Sequence, residues 1–334
     1  MKRIVMFTLS WLLVIHGLAQ RNQLQLIRIS EDNDALNVRR ESTDREYTNG
    51  TRIDIFYTKH AKPRLLSALL IPIGSQRFED DNDPNAIDNL YGVGLTQLMY
   101  TPSDITQENV IRQSRPYTGV LYATHSLISS DPIHKQRLTT ELGLGVLGKA
   151  ALGKEVQTWF HEKFGFDKPR GWQHQLPTDV VINYLIVYEK ALVQPSPNLE
   201  IIGLLSTNVG SLSNNINAGI TFRAGIFGNY FSNFPNREAA SQPGKRPFQF
   251  YFFMRPVGRL VMDDAVLQGG FFTHNSAEHV IDRDLLNRGY MQFEYGVVLS
   301  RNRLGISFSE KLITAQYNGA PSQQVGNLTF SFGL

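Results

Sequence analysis

The chain of 334 residues contains no cysteine. That excludes a disulfide scaffold, cysteine-type zinc sites, thiol catalysis and a lipoprotein anchor. Charge is scarce, at 19% Asp, Glu, Lys and Arg, against about 25% in an ordinary soluble domain. The net charge of +3 comes from 33 basic and 30 acidic residues, and falls to +1 without Lys2 and Arg3. A sequence pI near 9.0 is therefore no argument for nucleic acid as a partner. No internal repeat, low-complexity tract or second domain is visible. No G-x-S-x-G nucleophile elbow occurs. The eight histidines, at 16, 60, 125, 134, 161, 174, 274 and 279, form no metal-ligand spacing. His161-Glu162 starts like a zincin motif, but Gly165 stands where the second histidine is needed.

Long apolar runs are also missing, with one exception. Lys2 and Arg3 precede an apolar stretch over residues 4–18, closed by Gly17-Leu18-Ala19. A short basic start, an apolar middle and a small residue at the end make a secretory signal. The stretch is too short and too interrupted, by Thr8, Ser10 and His16, for a spanning helix of about 20 residues. The reading is a signal peptide at 1–19 and a single mature domain at 20–334. A mature chain without another apolar run is either soluble outside the cytoplasm or a β-barrel in an outer membrane.

What is present is alternation. Leu328, Phe330, Phe332 and Leu334 share one face of an extended chain; Asn327, Thr329, Ser331 and Gly333 share the other. Ile216, Ala218, Ile220, Phe222, Ala224 and Ile226 repeat the pattern against Asn217, Thr221 and Arg223. Met291, Phe293, Tyr295, Val297 and Leu299 do so against Gln292, Glu294 and Ser300. A soluble sandwich alternates too, with its apolar face inward. Segments of about ten residues, frequent aromatics and an aromatic in the last strand favour a transmembrane barrel. Twelve strands are predicted near 23–31, 49–58, 90–101, 117–127, 137–147, 180–191, 198–208, 215–227, 247–261, 289–300, 303–313 and 326–334. The fold class is all-β: a twelve-stranded antiparallel transmembrane β-barrel with a short helix in an outward loop.

With the N-terminus periplasmic, parity puts 32–48, 102–116, 148–179, 209–214, 262–288 and 314–325 outward. It also puts two long segments, 59–89 and 228–246, on the side where turns should be short. Chemistry-bearing residues gather in the first outward loops. Asp32-Asn33-Asp34 offers hard oxygens suited to Ca²⁺, or merely an Asx-rich turn. Residues 152–164 read as a helix with Leu152, Val156, Phe160 and Phe164 along one stripe. Gln157 and His161 share a neighbouring face. Trp159 and Trp172 lie in the same loop, and tryptophan favours the headgroup level of a membrane. The plainer reading is a helix plugging the barrel mouth with an incidental histidine. Gly143, Gly145 and Gly148 match a G-x-G-x-x-G pattern, but within a strand of an exported chain they serve curvature or close packing rather than nucleotides.

Seven ordered motifs then resemble one family. They are Glu31-Asp32-Asn33-Asp34, Thr43-Asp44-Arg45-Glu46-Tyr47-Thr48-Asn49-Gly50, Tyr100-Thr101-Pro102, Arg115-Pro116-Tyr117-Thr118-Gly119, Leu144-Gly145-Val146-Leu147-Gly148-Lys149-Ala150, Gln157 with His161, and Gly171-Trp172-Gln173-His174-Gln175-Leu176. Together they resemble the outer-membrane lipid A 3-O-deacylases, the LpxR family, over the first half of the mature chain. The resemblance implies a twelve-stranded barrel that removes the 3′-acyloxyacyl group of lipid A with Ca²⁺. It implies catalytic roles for His161, Gln157, Asn33 and Thr48, and Ca²⁺ ligation by Asp34 with oxygens at Thr48. The basic residue of some members is replaced by Gln107, and the supporting acid is either Glu162 or Asp167.

On this reading neutral His161 takes the proton of the attacking water, because its ordinary pKa of about 6.5 suits the task. Asn33 donates to the developing oxyanion. Lys149, Lys154, Lys163, Lys168 and Arg170, with Arg39 and Arg40, are candidate phosphate contacts as a group. The expected partners are lipid A or lipopolysaccharide and the membrane, with no nucleic acid, and the protein is expected to be a monomer. The expected location is the bacterial outer membrane with the site facing the exterior. The alternatives are an outer-membrane phospholipase A and a non-catalytic barrel.

Overall fold

A computed structural model describes residues 22–37, 44–59, 65–73, 87–232 and 248–334. The signal reading at 1–19, and Arg39 and Arg40, lie outside the described residues.

The strands are β1 (Asn22–Asn33), β2 (Glu46–Lys59), β3 (Asp88–Thr101), β4 (Thr118–Asp131), β5 (Gln136–Leu147), β6 (Asp179–Ser196), β7 (Leu199–Gly210), β8 (Ser213–Ile226), β9 (Phe248–Asp264), β10 (Gly289–Arg301), β11 (Leu304–Ile313) and β12 (Gln323–Gly333). Each pairs antiparallel with its sequence neighbour, and β1 pairs with β12 to close the barrel. Ile27 stands opposite Phe332, and Asn33 opposite Gly326. All twelve predicted strands are found within a few residues of their expected bounds. Among the described residues two α-helices leave the sheet: α1 (Gly153–Phe164) and the single turn α2 (Ala265–Gln268).

The alternation has the sense of a membrane barrel, not of a sandwich. Ile216, Ile220, Ile226, Met291, Phe293, Tyr295, Val297 and Leu299 are exposed, whereas Asn215, Asn217, Thr221 and Arg223 are buried. The lumen is therefore polar and the outer wall apolar. Charges inside are paired, as buried charges must be. Arg52 bridges Asp54 at 2.8 Å and Glu141 at 2.6 Å, and Arg28 joins Asp54 at 2.9 Å.

One rim carries the long connections, and there the lumen is filled. Val120, Leu147, Leu176, Val181, Val261, Leu267, Ile281 and Tyr317 form one buried apolar cluster, shared between strand ends and the loops that fold over them. Gly148 lets β5 turn into this rim: its φ of +84° suits glycine, and a Cβ there would meet the Pro177 oxygen at 2.4 Å. That is the work of the G-x-G-x-x-G pattern, as the sequence reading expected.

The long segment at the other rim has an unexpected placement. Residues 65–73 lie against the outer wall of β4–β6. Ser67 Oγ is 3.1 Å from His125 Nε2, the Ile71 amide donates to Thr140 Oγ1, and the Ile73 amide donates to Ser129 Oγ. Strand parity puts His125, Ser129 and Thr140 on the outer face, so this strap covers polar groups that hydrocarbon would leave unsatisfied.

A prediction follows from the burial pattern. Val297, mid-strand on the outer face, replaced by Arg costs about 2–4 kcal/mol of folding stability in a bilayer. Denaturant titration of protein refolded into vesicles measures it; an effect near zero contradicts the assignment of faces.

Candidate active site

The candidate site is built where α1 meets the barrel. Gly119 and Gly153 make the seat. A Cβ on Gly153 would come within 2.7 Å of the Trp172 ring, and one on Gly119 within 3.2 Å of the Gly153 nitrogen. Two bare backbones can thus approach closely. Gln97 Nε2 donates to the Ala151 oxygen at 2.7 Å just before the helix. By strand parity Gly119 and Gln97 face outward, so α1 lies on the outer wall of β3–β4. The mouth-plugging reading of the helix is thereby corrected. The helix starts at Gly153 rather than 152, because Leu152 takes a left-handed conformation with φ +61°.

The face that α1 buries is polar: Gly153, Gln157 and His161. Phe160 and Phe164 from the apolar stripe are exposed instead. A wall bearing polar groups selects the polar face of the helix and leaves the aromatics outside. Trp172 is not at a membrane surface, as its residue type suggested, but buried against Tyr117 with ring centroids 4.8 Å apart. Its indole donates to Gln157 Oε1 at 2.7 Å. An indole N–H is only a donor, so the Gln157 amide oxygen faces Trp172. Its Nε2 is left buried, without a full hydrogen bond of its own, acting on the carboxyl of Asp44.

His161 is buried and held from both sides. Its Nδ1 lies 2.5 Å from the main-chain oxygen of Asp167. A carbonyl only accepts, so Nδ1 carries a proton, and the tautomer this leaves has its lone pair at Nε2. That nitrogen is 3.5 Å from Asp44 Oδ2. Of the two expected acids, Glu162 pairs with Lys168 at the surface at 2.9 Å. Asp167 contributes its carbonyl. The carboxylate facing the imidazole is Asp44, which sequence reasoning quoted inside a motif but gave no role. Burial pushes the Asp44 carboxyl above the ordinary carboxylate range; His161 and Gln157 pull it down, and the Asp167 charge pushes it up.

Asp44 is presented by a strained turn. Its φ is +39° and that of Glu46 is +67°, a region non-glycine residues seldom occupy. Glu46 is clamped by Arg115 Nε at 2.8 Å and by the Tyr317 hydroxyl at 2.7 Å. The Thr101 hydroxyl donates to the Asp44 oxygen at 2.5 Å, and Thr48 Oγ1 is 2.7 Å from Thr101 Oγ1. Since Thr101 spends its proton on Asp44, Thr48 donates to Thr101 and keeps its oxygen lone pairs. β2 begins at Glu46, so Thr48 sits in the strand, at the bulge between Tyr47 and Asn49, rather than in the loop expected for it.

Asn33 is the last residue of β1, opposite Asn49. Its Oδ1 accepts from the Ala35 amide at 2.8 Å, which leaves its NH₂ as a donor. Asp34 is buried and lines a cavity of about 130 Å³ with Asn37, Arg45, Glu46, Tyr47 and Gln323. Among the described residues no group of three His, Asp or Glu side chains converges to hold a metal. Thr48 is not among the residues that line this cavity; the Asp34 carboxylate and the Thr48 oxygen are each of the kind a hard cation takes. Gln107 is exposed and bonded to Asp104 Oδ2 at 3.1 Å. Lys154, Lys163, Lys168 and Arg170 are exposed around the helix.

A family model described as outer membrane protein LpxR matches residues 5–334. The chain belongs to the LpxR family. LpxR from Salmonella typhimurium has the same fold, with a TM-score of 0.69 at 18% identity, over 92% of this chain and 100% of that one. The β-domain of the Bordetella autotransporter BrkA aligns over 92% of this chain and 98% of its own at 8% identity and a TM-score of 0.41. The NanC porin aligns over 93% of this chain and 100% of its own at 6% and 0.37. No curated protein matches the chain. In an outer-membrane barrel of the LpxR family, the outer wall of β3–β4 on which α1 rests is the lipid-facing side.

The Asp44 shift yields a signed prediction. A carboxyl raised on folding adds stability below its unfolded value, and loses it as pH rises through the folded value. Asp44→Asn removes that dependence. The stability of the variant relative to wild type rises from pH 4 to pH 7 in thermal unfolding; a constant difference contradicts the partly buried placement of Asp44.

Proposed function

We propose that this protein is an esterase of the outer membrane that removes the 3′-acyloxyacyl group from lipid A, with His161 as general base. The carrying observation is the buried imidazole, fixed through Nδ1 so that Nε2 faces the Asp44 carboxylate where α1 packs on the outer wall of β3–β4. The resemblance of the motifs to lipid A deacylases supports the substrate. The loop-rich rim then faces the cell exterior, where lipid A resides, and Lys154, Lys163 and Arg170 are placed to meet its phosphates.

The chemistry uses this chain's own groups. Water attacks the ester carbonyl carbon while His161 Nε2 takes its proton. The negative charge of Asp44, 3.5 Å from Nε2, stabilises the imidazolium. Gln157, oriented by Trp172, turns its amide NH₂ toward Asp44 and favours the charged carboxylate. The NH₂ of Asn33 donates to the oxyanion; loss of one such donor typically costs about 2.7–4 kcal/mol. The carbon–oxygen ester bond then breaks, and the imidazolium returns its proton to the sugar oxygen. The products are a free acyloxyacyl acid and a 3′-hydroxyl. A Ca²⁺ ion held by Asp34 and Thr48 would supply polarisation of the ester carbonyl. One chain holds every group named, which supports a monomer.

The test is mass spectrometry of lipid A incubated with the folded mature protein and with His161→Ala. The expected result is loss of one acyloxyacyl unit, and about 10²–10⁴-fold slower hydrolysis in the variant. Cleavage of glycerophospholipids with lipid A untouched would make the protein a phospholipase instead. Equal rates in the variant would remove His161 as base.

A further inference from the structure

The face that α1 turns away from the barrel is aromatic, and no step of the proposed hydrolysis uses it. Trp159, Phe160, Phe164 and the following Phe166 are 63%, 41%, 59% and 51% exposed. They are organised rather than scattered. Phe160 and Phe164 have centroids 4.7 Å apart, and Phe160 stacks on Phe166 at 6.0 Å with an interplanar angle of 9°. The shelf reaches the imidazole: Phe166 lies 5.6 Å and Phe160 6.4 Å from the His161 ring.

A patch of this kind on a water-exposed helix would be costly. Two features say what covers it. The helix is mounted on the lipid-facing wall through Gly119, Gly153 and Gln97, so the shelf continues the apolar belt of the barrel. Lys154, Lys163 and Lys168 are exposed on and just beyond the same helix, as cations at headgroup level would be. Aromatic faces together with flanking lysines match a lipid: hydrocarbon below, phosphate above.

We infer that this shelf seats an acyl chain of the substrate lipid, with Phe160 and Phe166 laying the chain beside His161 so that its ester meets Nε2. The assignment of the chain to the substrate rests on the proposed esterase reading. Phe160 and Phe166 are specificity residues: they select long chains over short ones, and Trp159 marks the depth of the helix in the membrane.

Two readouts test this, and they fail independently. In the first, mature protein is refolded into phosphatidylcholine vesicles whose acyl chains carry bromine, a short-range quencher of tryptophan emission. Trp172 is buried, so the quenchable emission is that of Trp159 and disappears in Trp159→Phe. Emission insensitive to bromine but quenched by a soluble quencher would overturn the placement, and so would emission insensitive to both. This readout requires no catalysis. In the second, Phe160→Ser with Phe166→Ser raises KM for long-chain lipid A by a factor about tenfold or more larger than that for a short-chain ester substrate. Equal losses on both substrates would overturn the chain-seating role. Absence of hydrolysis by the wild type, with bromine quenching intact, would instead remove the esterase reading and leave the membrane-facing shelf standing.

Discussion

A strand in hydrocarbon has no water to bond, so each backbone donor and acceptor needs a partner within the protein. Closure of β1 on β12 meets that demand, and the rest of the molecule depends on it. Closure leaves a wall with two opposite chemistries and a period of two. Arg28, Arg52, Asp54 and Glu141 settle their charges against one another in the lumen. Val297, Phe252 and Ile216 face outward. Where polar groups lie on the outward side of β4 and β5, a strap or a helix covers them.

The candidate site is one of those coverings. Gly119 and Gly153 let α1 come down onto the wall, and the polar face of the helix goes under. This single docking event buries His161, turns Gln157 toward Trp172, and leaves the aromatic shelf outside. The carboxylate opposite the imidazole comes from the turn before β2, where Arg115 and Tyr317 hold Glu46 and so present Asp44. Stability is spent on left-handed φ angles at Asp44 and Glu46, and the clamp makes them affordable.

Much of this was legible in the sequence, because a period of two survives any error in strand bounds of a residue or two. The strand count, the sense of the wall, the helix near 152–164 and the shared face of Gln157 and His161 all follow from local spacing. The relation of His161 to Asp44 does not. These residues come from different connections, and only the barrel register brings them together; no local pattern separates Asp44 from Glu162 or Asp167. The burial of Trp172 was missed for a similar reason, since its ring partner Tyr117 comes from the start of β4 and Gln157 from fifteen residues earlier in the same connection. The stripe of Phe160 and Phe164 misled because apolar periodicity marks a helix without saying what solvent its apolar face meets. The strap at 65–73 left no signal beyond its hydrophobicity.

The central claim is that reactivity depends on α1 resting on the outer wall, and one substitution addresses it. A side chain at Gly119 would strike Ala151 and Gly153, both within about 3.2 Å of its Cβ, and lift the helix while leaving β4 in the sheet. The measurement is lipid A hydrolysis by Gly119→Leu, in protein whose barrel is shown intact by its circular dichroism and resistance to detergent. The account predicts an intact barrel with activity reduced about 10²-fold or more, the usual penalty for misplacing a catalytic group by an ångström. An intact barrel with wild-type activity would contradict it.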